Sequence, residues 1–294
     1  MTFAELLSPN PVLSDGAWGT EFLRQGLDIA EPGDSWNLRF PDRVATVARS
    51  YVDAGSRVIL TNTFRANRIT LTAAGWANEI AAINQAGVAI SRQAAGPHAA
   101  VFASLGPTGK MLAAGEVTEA QLADVFGEQV EALAKGKPDA ILIETLSDLD
   151  EARIALQAAR ATGLPVVASF VFDSGRNRDR TLTGVTPEQA AAAMEEAGAA
   201  VMGANCGNGI DAFIPLARRM AAATRLPIWI KPNAGMPEIV DGEAVYHIAP
   251  DDFARHLPAL VQAGAQFVGG CCGTNPSFIR ALARQLDALQ CASS

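Results

Sequence analysis

The sequence predicts a closed parallel (β/α)8 barrel of the TIM type, formed as one domain over residues 1–294. Three observations carry that expectation. Short apolar runs rich in β-branched residues alternate strictly with longer, Ala-rich amphipathic stretches. The apolar runs are nearly continuous, as strands buried on both faces must be. Their C-terminal ends, where a barrel of this class gathers its chemistry, are polar almost throughout. A doubly wound open sheet is the rival. Eight units, however, close naturally into about 250 residues, leaving modest room for loops in a chain of 294. No linker, repeat or low-complexity tract divides it.

In order, strands are expected at Val12–Asp15, Val58–Asn62, Val101–Leu105, Ala140–Thr145, Val166–Phe172, Ala200–Asn205, Ile228–Lys231 and Gln266–Gly270. Helices are expected at Arg43–Ala54, Asn78–Ala95, Thr118–Lys135, Leu149–Ala161, Pro187–Ala197, Asp211–Ala223, Asp251–Ala263 and Pro276–Leu289. Thr118 to Gln121 and Thr186 to Gln189 read as capping boxes, the second with Pro187 at the first helical position. Asn275–Pro276 offers the same start. Gly163, Gly198 and Gly264 follow helices where a left-handed residue ends the last turn.

Apolar residues make up 49% of the chain and aromatics 6%, which suits many helices packed over a buried sheet. A net charge of −8 without a basic stripe argues against nucleic-acid binding. The densest basic stretch, Arg176, Arg178 and Arg180, reads as a solvated loop. Met1–Pro11 contains Glu5 and lacks the positively charged start of a signal peptide. No apolar run reaches the roughly 18 residues of a membrane span. Four cysteines, two of them adjacent, do not resemble a secreted disulfide framework. The cytoplasm is therefore the expected compartment.

The strand ends read Asp15–Gly16, Thr61–Asn62–Thr63, Ser104–Leu105–Gly106, Glu144–Thr145, Ser169, Asn205–Cys206, Lys231–Pro232–Asn233 and Cys271–Cys272. Cys206, Cys271 and Cys272 fall at the sixth and eighth ends, close neighbours in a barrel. Adjacent strand residues face opposite ways, so Cys271 and Cys272 can meet one ion only if the backbone leaves strand geometry. Gly269, Gly270 and Gly273 are read as supplying that freedom. Three thiolates favour a soft or borderline cation, zinc first, and leave its fourth position open for catalysis. Cys291 reads as a bystander, and His98, His247 and His256 lie away from the strand ends. Against this stand two blander readings: Cys206 as a small buried hydrophobe, and Cys271–Cys272 as a metal-free redox switch.

Seven segments resemble the homocysteine S-methyltransferase family, closest to the homocysteine-binding module of cobalamin-dependent methionine synthase. They are Asp15–Gly16–Ala17–Trp18–Gly19–Thr20, Thr61–Asn62–Thr63–Phe64, Gly106–Pro107–Thr108–Gly109, Glu144–Thr145, Asn205–Cys206, Pro232–Asn233–Ala234–Gly235 and Gly269–Gly270–Cys271–Cys272–Gly273–Thr274. The resemblance implies the barrel, a catalytic zinc held by Cys206, Cys271 and Cys272, and homocysteine as methyl acceptor. It implies that Asp15 and Glu144 pair with the substrate ammonium. Asn233 matches a position near the metal, where its amide oxygen fills the open site until substrate arrives. Asn62 and Ser104 complete the substrate-binding candidates, with loop hydrogen bonding as their alternative role. Trp18 and Trp36 are candidates to wall a donor pocket.

A free thiol has a pKa near ~8.5 and is mostly protonated at neutral pH. A zinc site ionises it, and a thiolate-rich ligand set keeps the sulfur nucleophilic toward a methyl group. The donor stays open among methylcobalamin on a separate corrinoid protein, which the resemblance favours, a small onium such as betaine or S-methylmethionine, and S-adenosylmethionine. A non-catalytic homocysteine-binding subunit is the reading from a different class.

Overall fold

The computed structural model describes residues 3–7, 11–240 and 243–293. Part of the opening segment that the leader reading concerned therefore lies outside the described residues. Eight parallel strands form the barrel wall: β1 (Val12–Leu13), β2 (Val58–Leu60), β3 (Ala100–Leu105), β4 (Ala140–Leu146), β5 (Val166–Phe170), β6 (Val201–Gly209), β7 (Ile228–Asn233) and β10 (Ala265–Val268). Their order in the sheet is β1-β10-β7-β6-β5-β4-β3-β2. The circle closes where Arg57 N donates to Leu13 O at 2.8 Å and Ser14 bridges Val58. The (β/α)8 barrel expected from the alternation is the architecture observed.

Period-two alternation divides each strand between two cores. One set of residues meets the surrounding helices, as Val101, Ile141, Ala168 and Ile230 do. The other fills the barrel, where Leu60, Phe102, Leu142, Trp229 and Phe267 pack together. Trp229 lies 5.8 Å from Phe102 and 5.3 Å from Phe267, ring centre to ring centre. Phe3, from the short helix Phe3–Leu6, stacks on Phe102 and Phe267 from below. The barrel's interior is thus a packed apolar plug at its N-terminal end.

Helix starts follow their local chemistry. Both capping boxes form: Thr118 opens Glu119–Lys135 and Thr186 opens Pro187–Ala197, each bonding reciprocally with the Gln three residues on. Asn275 Oδ1 accepts from Ser277 N at 2.9 Å at the head of Pro276–Ser293. Gly163, Gly198 and Gly264 all take left-handed φ, at 77°, 87° and 104°.

Three expectations change. The helix expected over Asp251–Ala263 is two, Pro250–Ala254 and Leu257–Gln262. Pro258 has no N–H to donate to the Ala254 carbonyl, so the helical ladder breaks there. Several strands stop short of their apolar runs, as at Leu13, Leu60 and Phe170, because the barrel walls end where the chain bends into the mouth. The loops also carry unanticipated structure: helices Trp18–Arg24, Trp36–Arg39 and Arg68–Ala73, and a hairpin of β8 (Glu238–Val240) with β9 (Glu243–Val245) after β7. Among the described residues no helix is long and apolar enough to cross a membrane.

Candidate metal centre

At the C-terminal mouth, β6 delivers Cys206, while Cys271 and Cys272 follow β10. Their sulfurs stand 3.4 Å (206–271), 3.6 Å (206–272) and 4.0 Å (271–272) apart. A disulfide needs about 2.05 Å. A tetrahedral ion with bonds of about 2.3 Å to sulfur needs ligand edges of about 3.8 Å, and the triangle fits it. Among the described residues this is the one group of three or more His, Cys, Asp or Glu placed to hold a metal. Cys291 is exposed on the last helix, away from it.

Local backbone makes the convergence. Cys206 takes φ 63°, a left-handed conformation costly for any residue with a Cβ. Asn205 beside it anchors the turn: its Oδ1 accepts from Thr145 N (2.9 Å) and Ser169 Oγ (2.6 Å), and its Nδ2 donates to Thr145 Oγ1 (2.8 Å). On the other arm, Cys271 N donates to Pro232 O at 2.7 Å and Ala234 N to Cys272 O at 2.9 Å. Of the glycines credited with backbone freedom, only Gly273 is left-handed, at 81°. Gly269 serves close approach instead, since a Cβ there would meet Ser14 Oγ at 2.1 Å.

The three thiols perturb one another. Hydrogen bonds with Cys206 and then Cys271 pull the Cys272 thiol well below the ordinary thiol range. Bonds to Cys271 and Cys272, with burial, push Cys206 well up. The cluster therefore takes one negative charge readily and resists three, a repulsion that a bound divalent cation offsets. Asn233 stands between Pro232 and Ala234, whose backbones bond Cys271 and Cys272. Its Nδ2 donates to Gly207 O at 2.9 Å, while its Oδ1 is buried without a partner. A buried carbonyl oxygen without a partner calls for an explanation.

Below the sulfurs lies a floor of charge. Asp15 is fully buried and both its oxygens are used: Oδ2 accepts from Trp18 Nε1 and Leu60 N, each at 2.7 Å, and Oδ1 pairs with Lys231 Nζ. Burial opposes the charge of Lys231, but Asp15 and then Glu144 outweigh it and hold the ammonium protonated. Glu144 accepts from Ser104 Oγ. Burial pushes its carboxyl up to about 7 against the pull of Lys231. Lys231, Glu144 and Ser104 line a cavity of about 410 Å³ with Trp18, Asn62, Phe64 and the three cysteines, and Asp15 lies buried behind Lys231.

The remaining expected residues divide. Asn62 lines the cavity, but its Nδ2 holds the loop, donating to Gly33 O (2.8 Å) and Asn37 Oδ1 (3.0 Å). Trp18 lines the cavity. Trp36 is buried between Phe22 and Phe40 and does not line this cavity. Sequence reasoning gave no role to Lys231, Asn205 or Thr145. The available signal for Lys231 was position: it sits two residues beyond inward-facing Trp229, so it must point into the barrel too. Asp34, a buried residue that also lines the cavity, was passed over too; burial pushes its carboxyl up to about 6 against the Arg65 N–H.

Fold and site together define a (β/α)8 barrel protein with a three-sulfur cluster that fits a metal ion, set over a charged floor. The family profile described as homocysteine S-methyltransferase matches residues 12–286. Methionine synthase of Mycobacterium tuberculosis (strain ATCC 25618 / H37Rv) is 30% identical over 298 residues, 95% of this chain and 25% of that protein. Its counterpart in Mycobacterium leprae (strain TN) is 29% identical over 95% of this chain and 24% of that protein. The chain thus spans about a quarter of the length of these relatives. Among solved structures, the metallated form of the homocysteine methyltransferase MmuM from Escherichia coli superposes with a TM-score of 0.80 at 24% identity. That alignment covers 96% of this chain and 99% of the other. The chain belongs to the homocysteine S-methyltransferase family.

Proposed function

We propose that this chain is a zinc-dependent homocysteine S-methyltransferase that makes methionine, with its methyl group delivered by methylcobalamin on a separate corrinoid protein. The observation that carries the reading is the sulfur triangle, sized for a tetrahedral ion and set at one edge of a cavity whose floor is charged. Cys206, Cys271 and Cys272 would hold zinc, with Asn233 Oδ1 as the neutral donor beside them. When bound, zinc supplies the Lewis acidity that ionises a thiol near neutral pH.

The chain's own residues do the rest. Glu144 accepts the substrate ammonium, oriented by Ser104. Asp15 contributes negative charge to the same floor and fixes Lys231. Trp18, Phe64 and Leu27 wall the cavity and exclude water from the substrate sulfur. With the thiol proton gone before transfer, no general base is required. The sulfur–carbon bond forms as the donor–carbon bond breaks, and that bond's electron pair stays with the donor.

The rim supports a protein-borne donor. All eight large hydrophobic side chains exposed among the described residues lie between the end of a barrel strand and the next wall helix. They include Ile29 (89% exposed), Leu182 (67%) and Ile239 (68%). Apolar groups confined to one face mark an interaction surface.

The test is metal analysis of purified protein, with methionine formation from homocysteine using methylcobalamin, betaine or S-methylmethionine as donor. About one zinc per chain and transfer from methylcobalamin is the expected result. Transfer only from betaine or S-methylmethionine would replace the donor and keep the chemistry. Homocysteine binding without methionine from any donor would make the barrel a binding subunit. Absence of zinc after reconstitution under reducing conditions would remove the mechanism.

A further inference from the structure

The mouth poses a problem of charge that its acids cannot solve. An amino acid brings a carboxylate as well as an ammonium. Glu144 and the three cysteines line the cavity, Asp15 lies buried behind Lys231, and each repels that carboxylate when ionised. Only two cations line the cavity among the described residues, Arg65 and Lys231. Arg65 is exposed at the outer edge, whereas Lys231 lies on the floor with a side chain 2% exposed.

Lys231 also has capacity to spare. An ammonium carries three donors, and among the described residues its hydrogen-bond partner is Asp15 Oδ1. Trp229 lies beneath it, with Nζ 5.8 Å from the ring centre. Asp15 cannot turn toward substrate without giving up Lys231, because its other oxygen already takes two donors. Glu144, which only Ser104 engages, is the carboxylate free to meet an ammonium.

We propose that Lys231 anchors the substrate's α-carboxylate, so that homocysteine lies with its ammonium on Glu144 and its carboxylate on Lys231. This rests on homocysteine being the acceptor. The buried Asp15–Lys231 pair then holds a cation in place before substrate arrives, and the zwitterion meets opposite charges at both ends. Lys231 is therefore a specificity residue that selects α-amino acid thiols over simple amines.

Calorimetric titration of the zinc-loaded protein with three thiols tests it: homocysteine, 4-mercaptobutanoate, which lacks the amine, and 3-aminopropanethiol, which lacks the carboxylate. In Lys231→Met, homocysteine and 4-mercaptobutanoate should bind about ten- to a hundredfold more weakly, the usual worth of a charge-assisted hydrogen bond. 3-Aminopropanethiol should bind as before or better. Losing Lys231 alone leaves Asp15 buried and unpaired, so the double variant Asp15→Asn/Lys231→Met, with both charges removed, is measured in parallel and should show the same selectivity. Equal losses for all three thiols would mean that Lys231 only shapes the pocket, and would overturn the assignment while leaving the acceptor intact. Wild-type protein that binds none of them would overturn the acceptor, and the carboxylate anchor with it.

Discussion

The two ends of this barrel are built from the same strands and differ by a single step of two residues. Toward the N-terminal end, Phe102, Leu142 and Trp229 fill the interior with apolar side chains. Two positions on, the same strands present Ser104, Glu144 and Lys231. Below, stability comes from area removed from water and from close packing. Above, ionisable groups are buried at a cost that their mutual pairing only partly offsets. The comparison separates what holds the molecule together from what it is for: the plug can be rigid because the mouth does not have to be stable alone.

Breaking the mouth at its metal should have the largest functional effect and a small structural one. Cys206→Ser removes one of the three proposed sulfur ligands, and bound zinc should fall from about one per chain to trace levels, with methyl transfer lost. Far-UV circular dichroism should be unchanged, because the plug and the wall helices do not involve this residue. Loss of the barrel together with the zinc would show that the metal holds the fold and would erase the distinction between the two ends.

Breaking the plug should do the reverse. Phe102→Ala leaves a cavity among Trp229, Phe267 and Phe3, and should cost about 3–5 kcal/mol of unfolding free energy by denaturant titration. Zinc stoichiometry of the protein that remains folded should not move.

The plug was far more legible in sequence than the mouth. Alternating apolar runs and helix signals specify the barrel because burial and backbone satisfaction leave few options, and the Thr118 and Thr186 caps were readable for the same local reason. The cysteines were readable because three of them fell at the ends of two strands with only β7 between them. What could not be read was pairing across the barrel. Asp15 looked available for substrate until Lys231, more than two hundred positions away, was seen to occupy it. Nor does any local pattern announce that Cys206 is left-handed, since the turn depends on Asn205 being gripped by Thr145 and Ser169. The loop helices and the β8–β9 hairpin escaped notice because short segments without a periodic apolar face carry no pattern signal.

Glu144 sharpens the comparison, because one substitution should move function and stability in opposite directions. Burial raises its carboxyl to about 7, so it is mostly neutral below that value and charged above it. Methionine, which has no thiol to titrate, should bind more tightly as pH rises from about 6 to about 8. Glu144→Gln should weaken binding at the upper end by about ten- to a hundredfold and flatten the pH dependence. A carboxyl whose folded pKa exceeds its unfolded value costs stability, from nothing below the unfolded value to its full amount above about 7. Glu144→Gln should therefore melt higher than wild type near pH 8 and match it near pH 4. Isothermal calorimetry and thermal melts read the two arms. A variant that binds worse and melts lower would show that Glu144 is a structural acid.

The smallest effect belongs outside both ends, on the helical wall, and serves as the control for electrostatics without function. Arg219, on helix Ile210–Ala223, bonds Glu188 through Nε (2.6 Å) and Nη2 (2.9 Å), and Asp179 through Nη1 (2.7 Å). The Arg219 guanidinium holds the Glu188 carboxyl down at about 2. That sign is opposite to the sign at Glu144: the stabilisation is complete above the unfolded pKa and disappears as pH falls toward about 2. Both side chains are more than 30% exposed, so solvent screens the pair and Glu188→Gln should cost less than about 1 kcal/mol at neutral pH. The gap between wild-type and variant melting temperatures should shrink below about pH 4 and close in 1 M salt, where the screening length is about 3 Å. Zinc content and ligand binding should not respond at all. A response at the mouth would mean that the wall helices transmit charge to the site, and the division between scaffold and chemistry would have to be drawn farther out than the barrel itself.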